Sequence, residues 1–250
     1  MAAPDPVLVL QHSAIDVPGV FGEVMDEAGI AWRACDPWRG EPLPSSLEGF
    51  AAVLAMGGPQ QTDEERLHPW LAPEKALLRD AAASGLPVLG VCLGCQLLAD
   101  AHGGTVAPLA RAEIGILEFS LTAEGRADPL FAGLPATPLT MQWHLNAVSA
   151  LPAGAALLAS SDACAVQAFR LGGAAYGVQF HMEVDAALVR ATEAFPDYIA
   201  ALERQRGAGA FARMVADATR EEETLRGNGA RLFRNFLGLI EGEDARRSAA

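Results

Sequence analysis

The stretch Pro87-Val-Leu-Gly-Val-Cys-Leu-Gly-Cys-Gln-Leu-Leu-Ala-Asp-Ala101 decides the fold. Its first part, Pro87 to Val91, is a short apolar run with no polar alternation, which predicts a strand buried on both faces. Its second part, Leu93 to Ala101, carries helix formers and stops at Gly103-Gly104. Between them lies Gly90-x-Cys92-x-Gly94, the cysteine form of a nucleophile elbow. A strand-to-helix turn this sharp forces its central residue into strained backbone angles, and flanking glycines remove the side chains that would collide there. The turn lifts the sulfur to the carboxyl edge of the sheet, where ligands bind in open α/β folds. It also sets the thiol at a helix N-terminus, which favours the thiolate, and aims the Leu93 N–H at a charge developing beside the sulfur. A small buried cysteine between two glycines fits the same spacing. Cys92 and Cys95 also form a C-x-x-C, but no second ligand pair accompanies it, and Cys95 is expected to pack inside the helix.

Outward from this segment the pattern repeats. Pro6 to Leu10 and Ala51 to Met56 read as further buried strands, Ala31 to Ala34 as another, and Val17 to Ala28 and Pro73 to Ser84 as helices closed by Gly29 and Gly85. Strands without alternation, separated by helices, predict a mostly parallel sheet covered on both faces. From Thr105 to Phe180 the runs are β-like, with no convincing helix, and Ala165 to Leu171 and Ala174 to Phe180 read as a hairpin about Gly172-Gly173. Beyond Glu183 the pattern turns helical: Leu188 to Arg206, Phe211 to Leu225 and Ala230 to Ile240, broken near Gly207 and Gly227-Asn228-Gly229, with a frayed end from Glu241. The whole, 1–250, reads as one domain, with 190–229 a helical extension within it.

The 250 residues are 51% hydrophobic, enough for a substantial core, and the net charge of −13 disfavours nucleic acid and anionic membranes as partners. No stretch is long enough to span a membrane, and the start, Met1 to Gln11, lacks the features of a signal peptide. A cytoplasmic location is expected. Four scattered cysteines read as reduced thiols rather than a disulfide framework.

A thiol nucleophile needs an imidazole, and the imidazole needs a carboxylate to hold its tautomer. Of the five histidines, His12, His68 and His102 fall in loops or at element ends and are expected to take surface roles. His181 follows the strand-like Ala174 to Phe180, and Glu183 two residues later points the same way. His181 is the candidate base and Glu183 its orienter.

At this point the chain resembles a known family. Gly90-Val-Cys-Leu-Gly-Cys-Gln96 is similar to the nucleophile motif of class I glutamine amidotransferases, Gly177-Val-Gln-Phe-His-Met-Glu183 to their histidine–glutamate motif, and Gly57-Gly58-Pro59 to their oxyanion strand, in the family's order. The resemblance runs from Pro6 to Glu183 and resumes at Leu232 to Leu237; it is nearest to the glutaminase domain of GMP synthase and its free-standing relatives. It implies a three-layer, flavodoxin-like α/β fold with antiparallel additions to a mostly parallel sheet. It further implies that Cys92, His181 and Glu183 form a catalytic triad and that the N–H groups of Gly58 and Leu93 make the oxyanion hole. Gly57, Gln96, His144, Leu145 and Asn146 would hold the substrate. No metal and no cofactor are implied. The implied chemistry is hydrolysis of the glutamine side-chain amide, or of a γ-glutamyl compound, through a γ-glutamyl thioester, with ammonia passed to a separate synthase. A stand-alone γ-glutamyl peptide hydrolase and a non-catalytic regulatory subunit of the same fold are the alternatives, and oligomeric state is left open. Two positions depart from the family pattern: Met182 stands where proline is usual, and Leu145-Asn146 where a small residue and an acid are usual. No phosphate-binding Gly-Lys-Ser/Thr loop of a synthase is present.

Overall fold

A computed structural model describes residues 5–248; residues 1–4, part of the segment read above as lacking a signal peptide, and residues 249–250 lie outside the described residues. The elements in chain order are β1 (Val7–Leu10), α1 (Gly19–Glu27), β2 (Trp32–Cys35), β3 (Ala52–Ala55), α2 (Leu71–Ala83), β4 (Val88–Val91) and α3 (Leu93–Ala101). There follow β5 (Thr105–Glu118), β6 (Ser120–Leu121), α4 (Ala123–Ala127), β7 (Leu139–Ala150), β8 (Ala156–Ser160), β9 (Ala168–Leu171) and β10 (Ala175–Val178). The chain closes with α5 (Ala186–Ala191), α6 (Pro196–Arg206), α7 (Ala210–Arg220) and α8 (Glu222–Ser248).

The main sheet has the order β2-β1-β3-β4-β10-β9-β8-β6. The five strands from β2 to β10 are parallel, and β9, β8 and β6 add on antiparallel. With β10 counted as the fifth strand this is the 2-1-3-4-5 order of flavodoxin-like sheets. Alternation along the buried strands divides the core in two. Val7 and Val9 face Phe21, Phe233 and Phe236 of α1 and α8, whereas Leu8 and Leu10 join the layer of Leu77, Leu78, Leu97 and Leu98 from α2 and α3. That is why these strands carry no polar alternation: both faces are covered. The three-layer architecture expected from sequence is therefore the one observed.

The long strands β5 and β7 form a separate two-stranded ribbon, joined to the end of β10 by the His181 N–H donating to the Met141 carbonyl (2.9 Å). A third apolar cluster fills the space between this ribbon and the last four helices: Ile114, Met141, Val184, Val189, Leu202, Met214 and Leu225.

Three sequence expectations are corrected. The Leu188–Arg206 helix is broken into α5, a 3-10 turn over Thr192–Ala194, and α6, because Pro196 cannot donate into a continuing helix and suits the first position of the next. The middle region does contain a short helix, α4, capped by Thr122, whose hydroxyl accepts from the Gly125 N–H (2.9 Å). Gly227-Asn228-Gly229 does not break the chain: α8 runs straight through it and on to Ser248, past the fraying expected from Glu241. The small residues there serve packing. Gly229 lies so close to the Met182 carbonyl that any side-chain carbon would strike it, and Asn228 donates to the Leu139 carbonyl (3.0 Å).

This contrast sets opposite signs for two like substitutions in one helix. Gly227 is exposed with nothing near its missing side chain, so Gly227→Ala is expected to stabilise by about 0.5–1 kcal/mol, as for any exposed helical glycine. Gly229→Ala is expected to destabilise by about 1–3 kcal/mol, because the methyl overlaps backbone. Denaturant unfolding of both variants checks the pair, and a stabilised Gly229→Ala would remove the packing role given to this glycine.

Candidate active site

Three neighbouring strands of the sheet, β3, β4 and β10, end side by side and deliver the candidate groups to one place. Ala55 and Gly177 both lie level with Gly90 of β4, and Val178 with Val91. One residue further on, β4 turns away at Cys92, whose N–H donates to the Val178 carbonyl (2.8 Å). The chain after β10 continues past the turn to His181, and the chain after β3 continues to Gly57 and Gly58 on the other side.

The turn has the geometry of an elbow. Cys92 is the one non-glycine residue among the described residues with a positive φ (50°, ψ −102°), a strained conformation for an L residue. Gly90 and Gly94 make room for it. A side-chain carbon on Gly90 would meet the Gly94 carbonyl oxygen at 2.5 Å, and one on Gly94 would strike the Ala55 carbonyl. Gly94 in turn donates its N–H to the Met56 carbonyl (3.0 Å), tying α3 to the end of β3.

His181 and Glu183 are both buried, and the His181 Nδ1 lies 2.7 Å from the Glu183 Oε1. Burial by itself would lower the His181 pKa, but the Glu183 carboxylate and the neighbouring Cys92 sulfur outweigh it and hold the imidazolium well above the usual range. The Glu183 carbonyl accepts from the Val20 N–H (2.9 Å) at the start of α1, which fixes the backbone that carries this carboxylate. The remaining three cysteines are buried. Burial pushes Cys35 up to about 11 and Cys164 up to about 12, and holds Cys95, on the inner side of α3, well above the ordinary thiol value. Cys95 is thus the packed helix residue expected from sequence, with no exposed surface.

Cys92, His181 and Glu183 open onto a cavity of about 390 Å³. Gly58, Gln60 and Gln61 of the loop after β3 form one wall, and Gln96 of α3 another. Gln96 donates to the Asn146 carbonyl and to the Gln179 Oε1, both at 3.0 Å. Asn146 in turn bonds through its amide to Gln61. Leu145 is half exposed at the rim. The His144 ring is buried and turned toward the ribbon: its Nε2 lies 3.0 Å from Gln142 and 3.2 Å from Glu113. Gly57 contributes backbone; its carbonyl lies 2.9 Å from the His12 Nδ1.

Several residues at the site went unread in the sequence. Gln179 points its Nε2 at the Cys92 sulfur (3.6 Å). Its spacing could have revealed it, since it stands two residues before His181 as Glu183 stands two after. Asp16, beside Gly57, and Tyr198, on α6, line the cavity itself, and no local pattern marks either. His12 contradicts its expected surface role: it is fully buried, with its Nε2 2.8 Å from the equally buried Glu74. A polar loop position hid this, because the residues that cover it come from α2 and the loop before it.

Known proteins resemble this chain in sequence and in fold. A family model described as glutamine amidotransferase class-I matches residues 37–196. The chain is 33% identical over 178 residues to a glutamine amidotransferase-like protein, YfeJ, of Salmonella typhimurium, covering 69% of this chain and 73% of that one. It is 35% identical over 188 residues to the glutamine-hydrolyzing GMP synthase of Xanthomonas oryzae, covering 72% of this chain but only 33% of that longer protein. Among solved structures, a glutamine amidotransferase of Thermotoga maritima superposes with a TM-score of 0.83 at 29% identity, over 94% of this chain and 99% of that one. One from Methylobacillus flagellatus superposes with a TM-score of 0.82 at 28% identity, over 95% and 96%. With the family model matching well over half its length, the chain belongs to the class I glutamine amidotransferase family.

Proposed function

We propose that this protein is a cysteine-dependent amidase acting on the side-chain amide of glutamine or of γ-glutamyl amines. The observation that carries the reading is the strained Cys92 elbow facing, in one cavity, a buried histidine–carboxylate pair. The Cys92 sulfur attacks the γ-carbonyl carbon, and the carbonyl oxygen takes the negative charge. The N–H groups of Gly58 and Leu93 receive that charge; Leu93, as first residue of α3, has no intrahelical use for its N–H. As the C–N bond breaks, His181 gives its proton to the leaving amine, ammonia in the case of glutamine, and a γ-glutamyl thioester remains. His181 then takes a proton from water, whose oxygen attacks the thioester and releases glutamate and the free thiol. Glu183 keeps the ring oriented and stabilises its protonated form.

Gln96, Asn146 and Gln61, linked to one another, offer amide groups to the α-amino and carboxylate end of the substrate. Leu145 and His144 contribute through the main chain. The cavity extends past His181 along Val184, Leu188, Thr192 and Tyr198, which favours amines larger than ammonia as leaving groups alongside glutamine itself. These walls come from α5, α6 and the segments beside them, so we read 190–229 as part of one domain with the rest, joined through the third apolar cluster. The ammonia product serves a separate synthase subunit. We place the enzyme in the cytoplasm, where its four free thiols stay reduced; among the described residues no helix is long and apolar enough to cross a membrane.

Ammonia release from glutamine, and amine release from γ-glutamyl amides, test the reading. Cys92→Ala is expected to lose more than about 10³-fold in kcat with its thermal unfolding midpoint nearly unchanged. His181→Ala should follow, and Glu183→Gln should be the mildest of the three. Equal rates for wild type and Cys92→Ala on every substrate would end the amidase reading. Alkylation by a glutamine-like chloromethyl ketone at pH 8 is expected to modify Cys92 and spare Cys35, Cys95 and Cys164, whose raised pKa values keep them as thiols. Peptide mapping reads this out, and equal labelling of all four would contradict it.

A further inference from the structure

His12 has no place in the chemistry above, yet it is among the most confined polar residues of the chain. Its ring is fully buried and stacked on Trp70 (5.2 Å between centroids, planes 2° apart). Its Nε2 meets Glu74 Oε1 at 2.8 Å, and its Nδ1 lies 2.9 Å from the Gly57 carbonyl and 3.0 Å from the Met56 carbonyl. Both partners of Nδ1 are oxygens that can only accept, so Nδ1 must carry a proton. Burial alone would lower the His12 pKa, but the Glu74 carboxylate outweighs it and raises it, in line with a ring that donates on both sides.

The Gly57 carbonyl and the Gly58 N–H belong to the same planar peptide unit and point in opposite directions. Anchoring the carbonyl under the loop therefore aims the N–H away from His12, toward the cavity that Gly58 and Cys92 share. No hydrogen bond among the described residues takes that N–H. The surroundings hold the peptide in this orientation. The Met56 carbonyl is shared between His12 and the Gly94 N–H of the elbow helix, and Gln60 reaches back to donate to the His12 carbonyl (3.0 Å). Gly58 leaves no slack, since a side-chain carbon there would sit 2.7 Å from the His12 Cβ and 2.7 Å from Leu93.

We propose that His12, braced by Glu74, is a positioning residue that locks the Gly57–Gly58 peptide with its N–H presented to the reacting carbonyl oxygen, so that the oxyanion hole is formed before substrate binds. The inference rests on the amidase reading given above. It makes basal amide hydrolysis a property of this chain alone, since the donor needs no partner to turn it inward.

The test separates the two nitrogens of the ring. The side-chain amide nitrogen of asparagine falls near the position of Nδ1, and that of glutamine near Nε2. His12→Gln keeps a partner for Glu74 and withdraws the lock on Gly57; His12→Asn does the reverse. For His12→Gln, kcat on glutamine is expected to fall by about 10²–10³-fold, the usual loss for one oxyanion donor, with KM within about threefold of wild type because the donor acts mainly in the transition state. His12→Asn should recover at least about tenfold of that loss, although it leaves Glu74 less well paired. Alkylation of Cys92 by iodoacetamide builds no oxyanion and should proceed at the wild-type rate in both. Thermal unfolding monitors the fold; if His12→Gln does not fold, His12→Phe with Glu74→Gln keeps the stack on Trp70, removes the buried charge and is expected to show the same loss of kcat. Equal losses in the asparagine and glutamine variants, unchanged kcat in both, or alkylation falling in step with kcat overturn the inference while leaving the amidase reading in place. Absence of Cys92-dependent turnover in the wild type overturns the amidase reading, and this inference with it.

Discussion

β4 is paired in parallel with β3 along one edge and with β10 along the other, and Gly90 is level with Ala55 and Gly177 at once. Three chain segments that are far apart in sequence therefore leave the sheet at the same height and in the same direction. In a parallel arrangement the segments leaving the carboxyl ends of the strands all emerge on one side, which is where open α/β sheets build their sites. Here the first segment brings backbone, the second a sulfur and the third an imidazole with its carboxylate. A register shift by one residue in either pairing would turn the exit of that strand to the opposite face.

The strain at Cys92 is held by what surrounds it. Gly94 sits hard against Ala55, and Gly90 against the first turn of α3, so the backbone has no room to relax into an ordinary turn. The Cys92 N–H is fixed to the Val178 carbonyl and the Gly94 N–H to the Met56 carbonyl, one bond to each neighbouring strand end. Such an over-determined position can keep an unfavourable conformation because moving it would break packing on both sides.

The buried histidines of this core are paired with carboxylates, and the pairing follows a pattern. These pairs lie at the carboxyl end of the sheet or beneath the ribbon: His12 with Glu74, His181 with Glu183, and His144 with Glu113 and Gln142. Each histidine has a carboxylate to hold its orientation, as a buried imidazole requires. The ribbon and the terminal helices complete the enclosure. Their apolar cluster around Met141, Val189 and Met214 joins the far wall of the cavity to the body of the fold, and Arg226 on α8 pairs with Asp185 at the cap of α5 (2.6 Å).

What the sequence determined by itself was the local chemistry of the chain. Two-sided burial erases alternation, so the parallel strands were legible as unbroken apolar runs. A tight strand-to-helix turn demands glycine on both sides of its apex, so Gly90-x-Cys92-x-Gly94 was legible as an elbow, and the helix after it as Leu93 to Ala101. Residues two apart on an extended segment share a face, so spacing alone was enough to pair His181 with Glu183. The tertiary structure alone decided everything that depends on contact between distant segments. Gly227-Asn228-Gly229 reads locally as a helix stop, yet it is the smooth side of α8 where the helix passes over Met182. His12 reads as an exposed loop residue, yet Trp70 and Glu74, about sixty residues away, bury it. Tyr198 carries no local mark, yet it reaches the cavity from α6, a helix that Pro196 starts afresh. Propensity and periodicity report on a residue's neighbours along the chain, whereas burial, pairing and close approach are set by residues that only the folded sheet brings near.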